Sequence, residues 1–179
     1  MQRQTYNERG GYLTLPAVAG ATVGHSLRLR GLTRDDQPQH AAHLQRLSPA
    51  DRHSRFHSAI SDEAIESYSR GLDWDRALIF GVFVDDTLRA VGELLTAPGD
   101  PDAEIAVSVE TDYQHIGFGK QLVLALILAA RATGVERIVI MFLHDNAGMA
   151  GLARDIGAEM ESMQGVTVSV KTMPGAKAD

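Results

Sequence analysis

Apolar positions along the chain switch between two spacings, and each switch marks an element. Residues 25–32, His-Ser-Leu-Arg-Leu-Arg-Gly-Leu, alternate as a half-exposed strand does. Thr33 with Asp36 three residues later suits a helix start, and a helix is predicted over 35–47. Ser48 as N-cap and Pro49 at the first helical position open a second helix, and 61–71 reads as a third. Strands are predicted over 77–84 and 87–95, joined in a hairpin at Asp85-Asp86. Proline and glycine make 96–102 a loop before a strand at 103–109. The run 121–130 is a strongly apolar helix, and the short β-branched run 137–143 reads as a buried parallel strand. Met149, Leu152 and Ile156 share one helical face between Asn146, suited to the N-cap, and Gly157, suited to a left-handed C-cap. Two short strands, 159–163 and 166–171, part at Gly165. Residues 1–24 show no clear period and are expected to be an arm, flexible or adding an edge strand, while 174–179 should fray.

A chain of 179 residues, 44% hydrophobic, fits one α/β domain, placed at 25–173. With no cysteine there is no disulfide framework and no thiol nucleophile. The formal net charge of −6, from 23 acidic and 17 basic residues without a basic block, argues against a nucleic-acid partner. The longest apolar run, 122–130, falls far short of the roughly 20 residues that span a bilayer. Glu8, Gly10 and Gly11 stand where a secretory core would be apolar. The expected setting is the cytoplasm, away from membranes, as a monomer or homodimer.

The stretch from Val107, Ser108 and Val109 through Gln114, His115, Ile116, Gly117, Phe118, Gly119 and Lys120 carries the clearest chemistry. It predicts a strand, a bend and the open N-terminus of a helix, whose first amides lack intrahelical acceptors and whose dipole favours an anion. Gly117 and Gly119 let a pyrophosphate reach those amides, and Lys120 adds a full charge. A dinucleotide fingerprint would need glycine at Leu122, and a nucleotide-hydrolase loop would need glycine at Gln114 and Ser or Thr at Gln121, so both fail on spacing. The remaining pattern, Gln-x-x-Gly-x-Gly between strand and helix, resembles the acyl-CoA pyrophosphate loop of the GNAT superfamily of N-acetyltransferases. The strand, Asn146 and the helix ending Ile156-Gly157-Ala158 resemble the same family's next unit.

The resemblance implies the GNAT fold, a mixed central sheet of six to seven strands flanked by helices, and acetyl-CoA as acyl donor without a metal. It implies that main-chain groups of Val107 and Val109 pair with the pantetheine arm, that Gln114 to Lys120 hold the pyrophosphate, and that Asn146, with Met149 on the following helix, meets the donor at the mouth between two parallel strands. Many members carry a tyrosine seven residues after this asparagine as acid for the leaving thiolate, and here Ala153 stands there. Within the family, 47–56 resembles the Leu-Ser-Pro-x-x-Arg-x-x-Arg-Phe stretch of bacterial protein lysine acetyltransferases.

An amine attacks a thioester only as its free base, so a general base is required. Glu104, at the start of the strand feeding the loop, resembles the glutamate that fills this role, with Glu93 on the neighbouring strand as the alternative. Glu110 is less suitable because it would repel the pyrophosphate. The expected activity is acetyl transfer from acetyl-CoA to a primary amine, a protein lysine, by direct attack. A small-molecule amine acetyltransferase and a non-catalytic acyl-CoA-binding module are the alternatives. His40 with His43, and His53 with His57, share helical spacing but lack a third metal ligand of known placement, so solvated or capping roles are expected.

Overall fold

The computed structural model describes residues 12–13 and 26–174. After β1 (Tyr12–Leu13) and β2 (Leu27–Gly31), a 3-10 turn at Arg34–Asp36 leads into three helices, α1 (Gln37–Arg46), α2 (Pro49–Phe56) and α3 (Asp62–Gly71). Three strands follow, β3 (Leu78–Val84), β4 (Thr87–Thr96) and β5 (Asp102–Val109). A 3-10 turn at Thr111–Tyr113 precedes α4 (Phe118–Thr133), then β6 (Arg137–Leu143), α5 (Ala147–Asp155), β7 (Glu159–Met163) and β8 (Val166–Thr172). The predicted elements are present, with α4 three residues longer at each end than its apolar run. The expectations for 1–11, 14–24 and 175–179 lie outside the described residues.

One sheet in the order β1-β2-β3-β4-β5-β6-β8-β7 joins all the strands. It holds the expected mixed sheet of six to seven strands, here seven, with the two-residue β1 added at the β2 edge. Every pairing is antiparallel except β5 with β6, whose register runs from Asp102 opposite Arg137 only as far as Glu104 opposite Val139. Beyond that point the strands separate, because β5 continues to Val109 and β6 to Leu143 without pairing.

Strand alternation sorts side chains between the two faces. Ile105, Ile138, Ile140 and Phe142 join Val123, Leu126 and Ala130 of α4 and Ala153 of α5 in the main core. Gly92 lets α4 lie close on β4, since a Cβ there would sit 3.0 Å from Leu126 Cδ1 and 3.1 Å from Leu122 Cβ. The other face packs against α1 and α2, with α3 lying on α1 and Leu44, Leu47 and Ile65 forming a small core of their own.

Between α1 and the sheet lies a polar layer that overturns the expected solvated or capping roles of His40 and His43. His40 and His43 are both fully buried. His40 lies 2.9 Å from Ser69 Oγ through Nδ1 and 2.9 Å from Glu93 Oε1 through Nε2. One turn on, His43 lies 3.2 Å from Glu110 Oε1 and 2.9 Å from Ser108 Oγ. His40, His43, Leu44 and Leu47 follow the i, i+3, i+4, i+7 spacing of a buried helix face, and two polar members fit because each ring nitrogen finds a partner. Burial pushes the His43 imidazole below its ordinary value against the pull of Glu110.

Candidate active site

Where β5 and β6 part, a cavity of about 800 Å³ opens through the sheet. Its walls come from β5 between Glu104 and Val109, from β6 at Met141, Phe142 and Leu143, from the start of α4, from α5, and from α2, which bridges the gap.

The open helix N-terminus forms where the sequence predicts it. Gly117 has φ 96°, a left-handed conformation that a side chain would strain, and it stands as N-cap of α4 without any side-chain cap. The first intrahelical bond in this turn runs from the Gln121 amide to the Gly117 carbonyl at 3.1 Å, so the amides of Phe118, Gly119 and Lys120 precede the ladder. A left-handed residue followed by helical ones turns successive amides into one concavity, and the dipole of a 16-residue helix adds to it. His115 also takes a positive φ, 61°, which carries the chain round the bend. Gly119 lies in the first turn of the helix, where a Cβ would meet Leu152 Cδ1 at 3.4 Å, an ordinary contact.

The cavity wall includes Val107, Ser108, Val109, Gln114, His115, Gly117, Phe118, Gly119, Lys120, Asn146 and Met149. Ile116 is not in that wall and packs with Phe118 and Leu122 beneath the loop. Ser108 contributes backbone only, its hydroxyl being held by His43. Lys120 Nζ sits 2.8 Å from Asp155 Oδ2 of α5, and this contact holds the Asp155 carboxyl below its ordinary value. The cation therefore stands at the cradle with a carboxylate partner that an incoming diphosphate would compete with.

Three features were not legible beforehand, all on α2. Asp51 accepts from Gln114 Nε2 at 3.0 Å and Thr111 Oγ1 at 2.8 Å, and Gln114 Nε2 also donates to the Val109 carbonyl at 3.0 Å. Burial pushes the Asp51 carboxyl up, but hydrogen bonds from Ser48, Gln114 and Thr111 more than offset this and hold it low. Ser54 Oγ accepts from Asn146 Nδ2 at 2.7 Å, while Asn146 Oδ1 caps α5 at the Met149 amide. Arg55 pairs with Glu93 at 2.7 Å. Asp51, Ser54 and Arg55 share the i, i+3, i+4 spacing of one helix face, a signal present in the sequence without an indication of what it faced.

The three candidate carboxylates sit very differently. Glu93 is 1% exposed, outside the cavity wall, and held by His40, Arg55 and the Tyr68 hydroxyl. Burial pushes it up, yet the Arg55 charge and these hydrogen bonds bring it down to about 2. Glu110 is likewise turned inward, onto His43, Arg46 and Arg89, and despite its burial is held at about 2. It serves the scaffold and is outside the cavity wall. Glu104 is exposed, lines the cavity where the strands part, and its side chain has no hydrogen bond or ion pair among the described residues. Ala153 is fully buried against the core and offers no proton.

No group of three or more potential metal ligands occurs among the described residues, and no described helix is long and apolar enough to cross a membrane.

The model of the acetyltransferase (GNAT) family matches residues 42–158. An acetyltransferase of Pseudomonas aeruginosa is 29% identical over 140 residues, covering 75% of each chain. Among solved structures, the GNAT domain of S. lividans PAT superposes with a TM-score of 0.74 at 20% identity, covering 94% of this chain and 100% of that one. PaiA N-acetyltransferase from Thermoplasma acidophilum, solved in complex with coenzyme A, gives a TM-score of 0.61 at 20% identity over 83% of this chain and 99% of that one.

Proposed function

The chain belongs to the GNAT family of acetyltransferases and uses acetyl-CoA as acyl donor, and on that premise we propose that it acetylates protein lysines with Glu104 as general base. The observation that carries this reading is the position of Glu104: a carboxylate whose side chain makes no hydrogen bond or salt bridge among the described residues, within electrostatic reach of Arg55, at the point where the cleft passes through the sheet. Lysine, with an ordinary pKa near 10.4, is neutral in roughly one molecule in 2,500 at pH 7. Glu104 takes the proton, directly or through a water, as the nitrogen bonds to the acetyl carbon and the carbon–sulfur bond breaks. With alanine at position 153, the sulfur leaves as thiolate or takes a proton from water.

Recognition of the donor falls to three sets of groups: the first-turn amides of α4 and Lys120 for the diphosphate, main-chain groups of Val107 and Val109 for the pantetheine arm, and Asn146 with Met149 at the mouth. The Val109 carbonyl is shared with Gln114, so loop and strand are fixed together. The likeness of 47–56 to a segment of bacterial protein lysine acetyltransferases supports a protein lysine as acceptor.

Glu104→Gln tests the mechanism. Turnover should fall by roughly 10²–10⁴, the usual worth of a positioned base, while acetyl-CoA affinity measured by calorimetry stays within a factor of two. Unchanged turnover would remove Glu104 from the chemistry. Labelled acetyl-CoA offered to protein pools and to a library of small amines tests the acceptor, and label confined to small amines would refute the lysine assignment.

A further inference from the structure

On the face that carries Glu104, the register of three strands builds a surface that donor binding and proton transfer leave unused. Residues directly opposite across paired strands point to the same side of the sheet. Glu104 lies opposite Val139, Val139 opposite Val170, and Val170 opposite Glu159. The next row runs Met141, Val168, Glu161, and the one after it Leu143, Val166, Met163. Ile138, Ile140 and Phe142 are buried on the opposite side under α4 and α5, so these three rows face away from that core. On their side α2 reaches β6, and the larger helix contacts lie on β4 and β5. Met141 and Met163 are accordingly 42% and 60% exposed, while Glu159 and Glu161 are exposed throughout.

We propose that this open face of β6, β8 and β7 docks the lysine-bearing segment of the acceptor polypeptide, with Glu159 and Glu161 selecting positive charge beside the target lysine. The proposal rests on the lysine reading above and adds the surface and the sequence preference to it. Two observations fix the occupant. The surface is continuous with the cleft, since Glu104 and Met141 belong to both. Its charge suits a basic segment: an apolar strip of Val139, Met141, Val168 and Val170 lies between Glu104 and the pair Glu159 and Glu161, and none of the three carboxylates has an ion pair among the described residues. The nearby cations are engaged or turned away. Arg137 pairs with Asp102 at 2.8 Å, and Lys171, opposite Ile138, lies on the other face with its Nζ near Gly157.

The dimensions give a sequence rule. Three strand spacings separate Glu104 from Glu159, on the order of 14 Å. An extended chain advances about 3.3–3.6 Å per residue. A lysine presented at Glu104 therefore places a residue about four positions away over Glu159 and Glu161, and arginine or lysine there should be favoured.

The test is steady-state acetylation of a set of lysine peptides by the wild-type protein and the Glu159→Lys/Glu161→Lys variant, both sites being exposed strand positions whose exchange leaves the core untouched. For a peptide with arginine four residues from the lysine, KM for the wild type should be about tenfold lower than for its glutamate counterpart, the scale of two exposed charge pairs. The variant should reverse that preference while the KM for acetyl-CoA stays unchanged, and added salt should flatten both preferences. Peptide acetylation with the same preference in both proteins would overturn the docking surface and leave the lysine reading standing. A wild-type protein that acetylates small amines but no peptide would overturn both.

Discussion

Replacing Glu93 by glutamine removes the one carboxylate that forms a direct salt bridge with Arg55 among the described residues. Glu93 is 1% exposed, and the paired Arg55 side chain is 11% exposed. Its carboxyl sits at about 2 against an ordinary 4.5, a difference worth about 3 kcal/mol of folding stability. Leaving a buried partner uncompensated costs about 3–5 kcal/mol in comparable pairs, so Glu93→Gln should lose that much at pH 7 and about 10 °C in Tm. The sign follows from the direction of the shift. A carboxyl held down in the folded state contributes in full above pH 4.5, and the contribution drains away as the pH falls toward 2. The gap between wild type and variant must therefore narrow over that window. Trp74, the one tryptophan, is 7% exposed and packs edge-on to His40 with ring centroids 5.4 Å apart, so its fluorescence reports on this layer. Guanidinium unfolding followed at 7, 4.5 and 3 gives the comparison. A gap of equal size at every pH, or one under about 1 kcal/mol at pH 7, would refute the electrostatic account.

Gly92→Ala should cost about 1–3 kcal/mol by overpacking, because its Cβ would press on Leu122 and Leu126; urea unfolding measures it. Gly117→Ala places a side chain at φ 96° and should lose about 1–2 kcal/mol together with acetyl-CoA affinity, read by calorimetry. Asn146→Ala removes the α5 cap and the link to Ser54, and should cost about 1 kcal/mol, seen as a lower Tm. Acetyl-CoA at a hundred times its Kd should stabilise the folded state by about 2.7 kcal/mol, a rise of several degrees in a thermal-shift assay.

The strand-turn-helix geometry was legible because everything that makes it is local: a strand, two glycines and a helix start within fourteen residues fix their own geometry. Alternation in 103–109 likewise placed Glu104 on the face opposite Ile105 and lining the cavity. What escaped was assembled across long separations. His40 meets Glu93 over 53 positions, His43 meets Glu110 over 67, and Asn146 meets Ser54 over 92. Each of these polar residues looks surface-bound when read alone, and only the partner makes its burial affordable. Glu110 shows the difference most plainly: near the loop in sequence it looked hostile to a diphosphate, yet it turns inward to two arginines and a histidine. Lys120 stands in the first turn of α4 as expected, but its pairing with Asp155 depends on how α5 returns beside α4.

The three residue pairs that join β5 to β6 are the sole strand-to-strand tie between two antiparallel leaves, 12–109 on one side and 137–172 on the other, among the described residues. Such a sheet resembles a book bound at one end of its spine, with α2 as a clasp across the fore-edge. An extended arm laid in the gutter would supply the main-chain partners that β5 and β6 deny each other. Loading the donor would then stiffen the binding itself, and amides at Val107 and Met141 should exchange with solvent more slowly once the gutter is filled.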